Sequence, residues 1–360
     1  MKPPHLRWAF YRLELSPIGL RLIDVPFGVG RRLSSGPLYP TTLPFYFSLD
    51  KIMNMLYNIR CCTVSKSRDC KFISTDKPRL GRQHAGDENM SVTRTVDQPF
   101  PVSFVSEGSN LKGWFYPATG IGPYPTVILL HGYPGKDGDA LGLGERMMKE
   151  GINALAFNYR GTWGSEGLFT HQTALADVSS AIAYLKTSSL TQKQAVDANR
   201  IAVAGYSWGG GMALLGSLGD PSVRKVAYIG GTNLGEFARQ IRGNEELRKA
   251  HEQFLDETMS ESGVAHGLGG KASHVLLFET IDDFDLVKHA EVLASKDILL
   301  IGGWRDTDYY STLESHVLPL FRALQKCGAE RLSIGVFDTD HSFAGVEEEL
   351  AKRIASWIKN

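Results

Sequence analysis

From residue 124 onward, short apolar runs alternate with longer stretches in which apolar residues return every three or four positions. The runs lie near 125–130, 153–158, 201–206, 224–229, 297–302 and 332–337. Continuous apolar runs of this length suit strands buried on both faces of a parallel sheet. Between them, Leu175, Val178, Ile182 and Leu185 share one helical face, as do Leu313, Val317, Leu320 and Leu324, and again Val346, Leu350, Ile354 and Trp357. These stripes read as core residues packing on the sheet. The alternation predicts an α/β fold, a mainly parallel, doubly wound sheet with helices on both faces. Residues 100–117 read as a leading antiparallel pair that turns at Gly108 to Asn110. The sequence contains no internal repeat.

One interval breaks the alternation. Residues 233 to about 285 hold a helix after Asn244 and a glycine-rich loop from Gly263 to Gly270. The interval is expected to form a small helical lid, because inserted loops at a site govern which molecules enter. The alternative is a packed surface helix pair with no gating role.

Residues 1–89 differ in kind. They carry 14 Lys and Arg against 7 Asp and Glu, in a chain whose formal net charge is zero, and no helical or strand period is sustained. This extension is expected to be mostly disordered, with the folded domain occupying 90–360. Arg7, Arg12, Arg21, Arg31 and Arg32 fit an organelle-targeting segment, whereas Glu14, Asp24 and the scattered prolines oppose one. The other reading makes Met90 the true start.

Composition narrows the class. A chain of 360 residues, 42% hydrophobic and 22% charged, suits a soluble globular enzyme with a sizeable core. No apolar stretch is long enough to span a bilayer, so neither an integral membrane protein nor a nucleic-acid binder is indicated. Three of the four cysteines, Cys61, Cys62 and Cys70, fall in the extension without the paired spacing of a zinc site. Cys327 stands alone in the folded domain as a spectator, and no disulfide framework is available. A cytoplasmic location is expected.

The candidate chemistry centres on Gly205-Tyr206-Ser207-Trp208-Gly209, which follows an apolar run and precedes a small-residue helix. A strand feeding a sharp, glycine-flanked turn and then a helix lifts one serine into an exposed, strained position suited to a nucleophile. By itself this string is weak, because most Gly-x-Ser-x-Gly matches are ordinary turns. Three further parts strengthen it. His131-Gly132-Tyr133-Pro134-Gly135 follows a buried run, and the N–H groups of Tyr133 and Trp208 are the expected oxyanion hole. Asp306, in Gly302-Gly303-Trp304-Arg305-Asp306, is the expected acid, with Asp308 as runner-up. His341, after the last apolar run, is the expected base.

The order Ser207, Asp306, His341 is that of α/β-hydrolases. Residues 124–360 resemble that superfamily. His131–Gly135, the segment Asn158-Tyr159-Arg160-Gly161-Thr162-Trp163-Gly164-Ser165-Glu166-Gly167, and Arg305-Asp306-Thr307 are similar to its dienelactone-hydrolase and prolyl-oligopeptidase-like branch. The resemblance implies nucleophile, acid and base roles for Ser207, Asp306 and His341, and oxyanion donors at Tyr133 and Trp208. Tyr206 stands where the wider family often has histidine.

Other residues take plainer roles. His131 reads as structural, Arg160 as a brace between loops, and Asp306, Asp308, Asp338 and Asp340 as strand-end acids rather than a divalent-metal cluster. No cofactor and no metal is required. Tyr133, Trp163, Trp208, Trp304, Tyr309, Tyr310 and Phe343 suggest a partly apolar pocket. The expected activity is cleavage of an ester, thioester or amide of a small acyl substrate through an acyl-serine. A short-peptide or acyl-aminoacyl peptidase and a non-catalytic binding module are the alternatives. The sequence does not set an oligomeric state.

Overall fold

The computed structural model describes residues 98–360, apart from 134, 136, 137, 139, 188–190, 192, 261–263 and 308–311, together with two strands nearer the amino terminus. Those two, β1 (Tyr11–Ser16) and β2 (Gly19–Asp24), pair antiparallel with Glu14 opposite Arg21. The sequence reading places no element there, because a period-2 pattern only six residues long, ending at Pro17, gives little signal. The expected disorder of the remaining extension and the boundary at residue 90 lie outside the described residues.

The second unit, 64–360, contains an eight-stranded sheet. Its strands are β3 (Phe100–Ser106), β4 (Ser109–Tyr116), β5 (Tyr124–Leu130), β6 (Asn153–Phe157), β7 (Val196–Tyr206), β8 (Lys225–Ile229), β9 (Asp297–Gly303) and β10 (Leu332–Phe337). They are ordered β10-β9-β8-β7-β5-β6-β4-β3. Only β4 runs against the others, pairing antiparallel with β3 and β6, while the remaining pairs are parallel. The predicted runs become strands in every case, and the leading hairpin turns at Glu107-Gly108. β7 starts earlier than its apolar run, because Val196 already pairs with Tyr124.

Strand side chains alternate between two apolar layers. Ile128, Leu130, Leu155, Phe157, Val203 and Tyr228 face helices α2 (His171–Leu185) and α3 (Trp208–Gly216), and the stripe Leu313, Val317, Leu320, Leu324 joins that layer. Val127, Leu129, Ala154, Ala202, Ala204 and Ala227 face α1 (Leu143–Lys149) and α9 (Glu347–Lys359) on the other side. The alanines are what allow helices to settle close to that face. The Leu313 stripe begins as a π-turn, Leu313–Val317, before α8 (Leu318–Lys326).

The insertion between β8 and β9 is more helical than the sequence suggests: α4 (Leu234–Gly243), α5 (Glu245–Ser260) and α6 (Gly270–Glu279), followed by the short α7 (Ala290–Leu293). Only α5 was expected. Gly270, read as the end of a glycine-rich loop, instead opens α6, where its N–H is bonded by Asp256. The insertion is tied to the loop after β6 by main-chain hydrogen bonds: Trp163 N–H to Val264 O, Phe169 N–H to His266 O (2.8 Å) and His266 N–H to Gly161 O (2.6 Å).

Candidate active site

Ser207 sits where β7 ends and α3 begins, with φ 56° and ψ −127°. A non-glycine residue in such a conformation stores on the order of 1–3 kcal/mol of strain. Three main-chain bonds hold it: Ser207 N–H to Ile229 O (2.9 Å), Gly210 N–H to Ser207 O (2.9 Å) and Thr232 N–H to Ser207 O (3.1 Å). The flanking glycines are there for space. A Cβ on Gly205 would strike the Gly209 carbonyl, and one on Gly209 would strike the His131 carbonyl. The strand and helix cross too closely for any side chain.

The loops after β9 and β10 bring the other two predicted residues to this serine. His341 Nε2 lies 3.0 Å from Ser207 Oγ, and His341 Nδ1 lies 2.9 Å from Asp306 Oδ2. A carboxylate accepts only, so Nδ1 carries the imidazole proton and Nε2 is left as the acceptor for the serine hydroxyl. Asp306 is 2% exposed, and the hydroxyl of Thr312, at the start of the π-turn, donates to the same carboxylate oxygen. Asp308, the runner-up acid, lies outside the described residues.

Two supports were not foreseen. Thr312 is one. Tyr206 is another: its hydroxyl donates to the His341 carbonyl (2.9 Å), and its ring lies 5.3 Å from the imidazole, centroid to centroid. Burial, with Asp306 and Asp340 nearby, raises its pKa, so it remains a donor. His316, a buried residue of the π-turn, bonds none of these groups, and burial pushes its imidazole to a pKa of about 4.

Gly132 lies against the serine, since a Cβ on it would be 3.2 Å from Ser207 Cβ. The next residue, Tyr133, and Trp208 therefore flank Ser207 from two segments, the loop after β5 and the start of α3. Neither backbone N–H bonds a main-chain acceptor among the described residues.

The aromatic residues divide. The Tyr133 ring stacks on Phe169 (4.6 Å) and meets Trp208 (6.0 Å) and Phe254 (6.5 Å) edge-on, while its hydroxyl donates to Met259 Sδ (3.6 Å). The hydroxyl is thus turned toward the insertion. Phe343 is core and Trp304 is 66% exposed. Tyr309 and Tyr310 lie outside the described residues. Phe169 and Phe254 were missed, because each comes from a segment without a motif.

The remaining polar candidates are structural. Arg160 bonds Asp177 (2.7 Å), Glu107 (3.0 Å) and Ser106 (3.1 Å), joining the leading hairpin, the loop after β6 and α2. His131 is buried edge-on to Tyr159 (4.7 Å). Asp338 pairs with Arg305, and Asp340 accepts the Ser342 N–H.

Comparison with known proteins agrees with this architecture. Residues 104–251 match the family of X-Pro dipeptidyl-peptidases, S15. The chain is 30% identical over 141 residues to the quorum-quenching protein AidA of Acinetobacter baumannii, a match covering 38% of this chain and 45% of that protein. It is 31% identical over 130 residues to an uncharacterized Mycobacterium tuberculosis protein, covering 36% and 44%. These matches thus span less than half the length of either curated relative. Among solved structures, an esterase of Pyrococcus furiosus superposes with TM-score 0.51 at 20% identity over 74% of this chain and 95% of its own. Est1E of Butyrivibrio proteoclasticus, solved with ferulic acid, gives 0.53 at 16% identity over 72% and 98%. The fold is thus that of the α/β-hydrolases. Among the described residues, no helix is long and apolar enough to cross a membrane.

Proposed function

We propose that this protein is a serine hydrolase that cleaves a carboxylic ester, and by the same chemistry a thioester or activated amide, of a small acyl substrate. The observation that carries the reading is the unbroken chain Ser207 Oγ, His341 Nε2, His341 Nδ1, Asp306 Oδ2, at 3.0 and 2.9 Å. Ser207 Oγ attacks the carbonyl carbon while His341 Nε2 takes its proton. Asp306, held by Thr312, fixes the tautomer and stabilises the imidazolium. The N–H groups of Tyr133 and Trp208 receive the oxyanion, an interaction whose loss typically costs about a hundredfold or more in turnover. The imidazolium then protonates the leaving alcohol. Water, deprotonated by the same nitrogen, attacks the acyl-serine, and Ser207 regains its proton as the acid leaves.

A second reading is a peptidase of short or N-terminally blocked peptides, favoured by the match to the S15 family. A free amino terminus calls for a carboxylate partner. The side chains contacting Tyr133 and Trp208 are instead aromatic residues, Met259 and His171, which favours the ester.

The test is fluorophosphonate labelling with hydrolysis of p-nitrophenyl esters, comparing wild type with Ser207→Ala. Labelling and turnover that both vanish in the variant support the assignment. Turnover retained by Ser207→Ala, or unlabelled and inert wild-type protein, overturns it. Matched peptides with free and blocked amines separate the two readings.

A further inference from the structure

The insertion and the body of the domain enclose a slot whose lining includes Phe169, His171, Leu255, Met259, Leu268 and Leu276. The ring of Trp208, the residue after Ser207, meets two of these, Phe169 (5.4 Å) and His171 (5.8 Å). Because Trp208 directly follows Ser207, a chain running from an acyl carbonyl past Trp208 enters this slot. Its two hydroxyls, on Thr170 and Ser273, already donate, to Thr173 Oγ1 and Leu268 O, and the rest of the lining is apolar with one exception. The free space is about 10 Å³, room for one water at most. An acyl group therefore enters by displacing a side chain, and the unbranched Met259, leaning on the Tyr133 hydroxyl at 3.6 Å, is the one able to swing.

The exception is His171. The indole N–H of Trp208, which can only donate, points to His171 Nδ1 at 3.3 Å. The proton of the neutral ring therefore sits on Nε2. Burial, with His274 nearby, pushes the pKa of His171 down to about 4, so the neutral form prevails at neutral pH. Nε2–H has no acceptor among the described residues, and His171 forms part of the slot wall. A neutral donor in a wall whose other polar side chains are already paired discriminates strongly, since a substrate without a matching acceptor leaves it unpaired.

The geometry points to an acyl specificity: given Ser207 as the acylated residue, the acyl group lies in the slot between Trp208 and the insertion, and His171 Nε2–H bonds an oxygen carried on that acyl chain. The substrate class is thus an ester of an oxo- or hydroxy-substituted short acid rather than of a plain fatty acid.

The experiment measures kcat/KM for p-nitrophenyl pentanoate against 4-oxopentanoate and hexanoate against 5-oxohexanoate, each ratio divided by that for hydroxide hydrolysis. Wild type is expected to prefer one oxo ester by about tenfold or more. His171→Phe should bring the ratio near one, and His171→Gln, which keeps a donor, should retain part of it. Met259→Ala should move the optimum of a plain acyl series to longer chains. A wild-type ratio near one, a ratio unchanged in His171→Phe, or an unmoved chain-length profile in Met259→Ala overturns the proposal. Fluorophosphonate labelling at Ser207 is measured alongside. Unlabelled wild type is a failure of the serine-hydrolase reading itself, whereas labelled protein without the oxo preference is a failure of the slot alone.

Discussion

The strand-end edge and the insertion are held in place by different forces. At the edge, Ser207, Asp306 and His341 ride on loops after β7, β9 and β10, of which β9 is buried along almost its whole length, β7 through Ile201–Gly205, and β10 only partly. The strained serine is pinned by three main-chain bonds and the acid by Thr312. The insertion is fixed by main-chain bonds at 264–267, by Asn233 and Arg239 on Asp285 at its root, and by stacked histidines. In those, His251 Nδ1 and His274 Nε2 lie 2.7 Å apart, and His274 Nδ1 lies 3.3 Å from Glu252. One region rests on covalent neighbours of a rigid sheet, the other on groups that titrate. Chemistry and substrate admission should therefore respond to different perturbations.

The sharpest test at the edge is Asp306→Asn. The variant keeps the shape but loses the charge that stabilises the imidazolium, and it can reverse the imidazole tautomer. Turnover should fall about 10³–10⁴-fold, equivalent to roughly 4–5.5 kcal/mol of barrier. If the edge governs only chemistry, the same factor appears for every acyl chain in the series. A factor that varies with the acyl group breaks the separation between the two regions.

The contrasting test at the insertion is acidity. Burial holds His171 at a pKa of about 4 and His251 at about 3, and it lowers His274 against the upward pull of Glu252 and Asp256. Arg248, on Glu252, opposes protonation too. Freed from these surroundings, each imidazole titrates near 6.5. Above that pH both forms are neutral and nothing is lost. As pH falls below 6.5, an opened insertion takes up protons that the closed one refuses, so closure weakens until the folded pKa values are passed. At pH 5 the cost is on the order of 2 kcal/mol for each of His171 and His251, with His274 adding in the same direction. Hydrogen exchange, corrected for intrinsic rates, should show α5 and α6 losing protection between pH 7 and 5 while β5 and β7 keep theirs. Replacing His251 with Phe and His274 with Leu should flatten that response. Equal loss in the sheet would mean that the two regions open together.

The same contrast explains what could be read from the sequence. The strands of the main sheet and the meeting of Ser207, Asp306 and His341 were legible because each is announced locally, by an apolar run, a glycine-flanked serine or an acid just past a strand. The insertion was legible only as an interval. α4 does carry a regular stripe, Leu234, Phe237, Ala238 and Ile241, that the sequence reading passed over, while α5 and α6 carry weaker ones, and the fixing contacts join residues with no local signature, such as His171 with Trp208 and His251 with His274. Thr312 and the π-turn fell between these cases. The spacing Leu313, Val317, Leu320, Leu324 fits an ordinary helix equally well, and nothing in it shows that the turn is widened next to Asp306.

Tyr206 is the instructive intermediate, since it sits beside Ser207 in sequence and yet bonds the loop that carries His341. Its hydroxyl bonds the His341 carbonyl 135 residues away, a partner that no local pattern encodes. Tyr206→Phe removes this bond and keeps the ring against the imidazole and Phe343. One hydrogen bond of this kind contributes about 1 kcal/mol, so kcat/KM should fall about fivefold, uniformly across the acyl series. The His341 loop becomes looser without becoming disordered, so fluorophosphonate labelling should slow by a similar factor while thermal stability shifts little. A merely structural tyrosine would lower the melting temperature and leave the labelling rate per folded molecule unchanged. That outcome would detach Tyr206 from the base and leave the loop after β10 to be held by its own turn at Asp340 and by the buried Phe343.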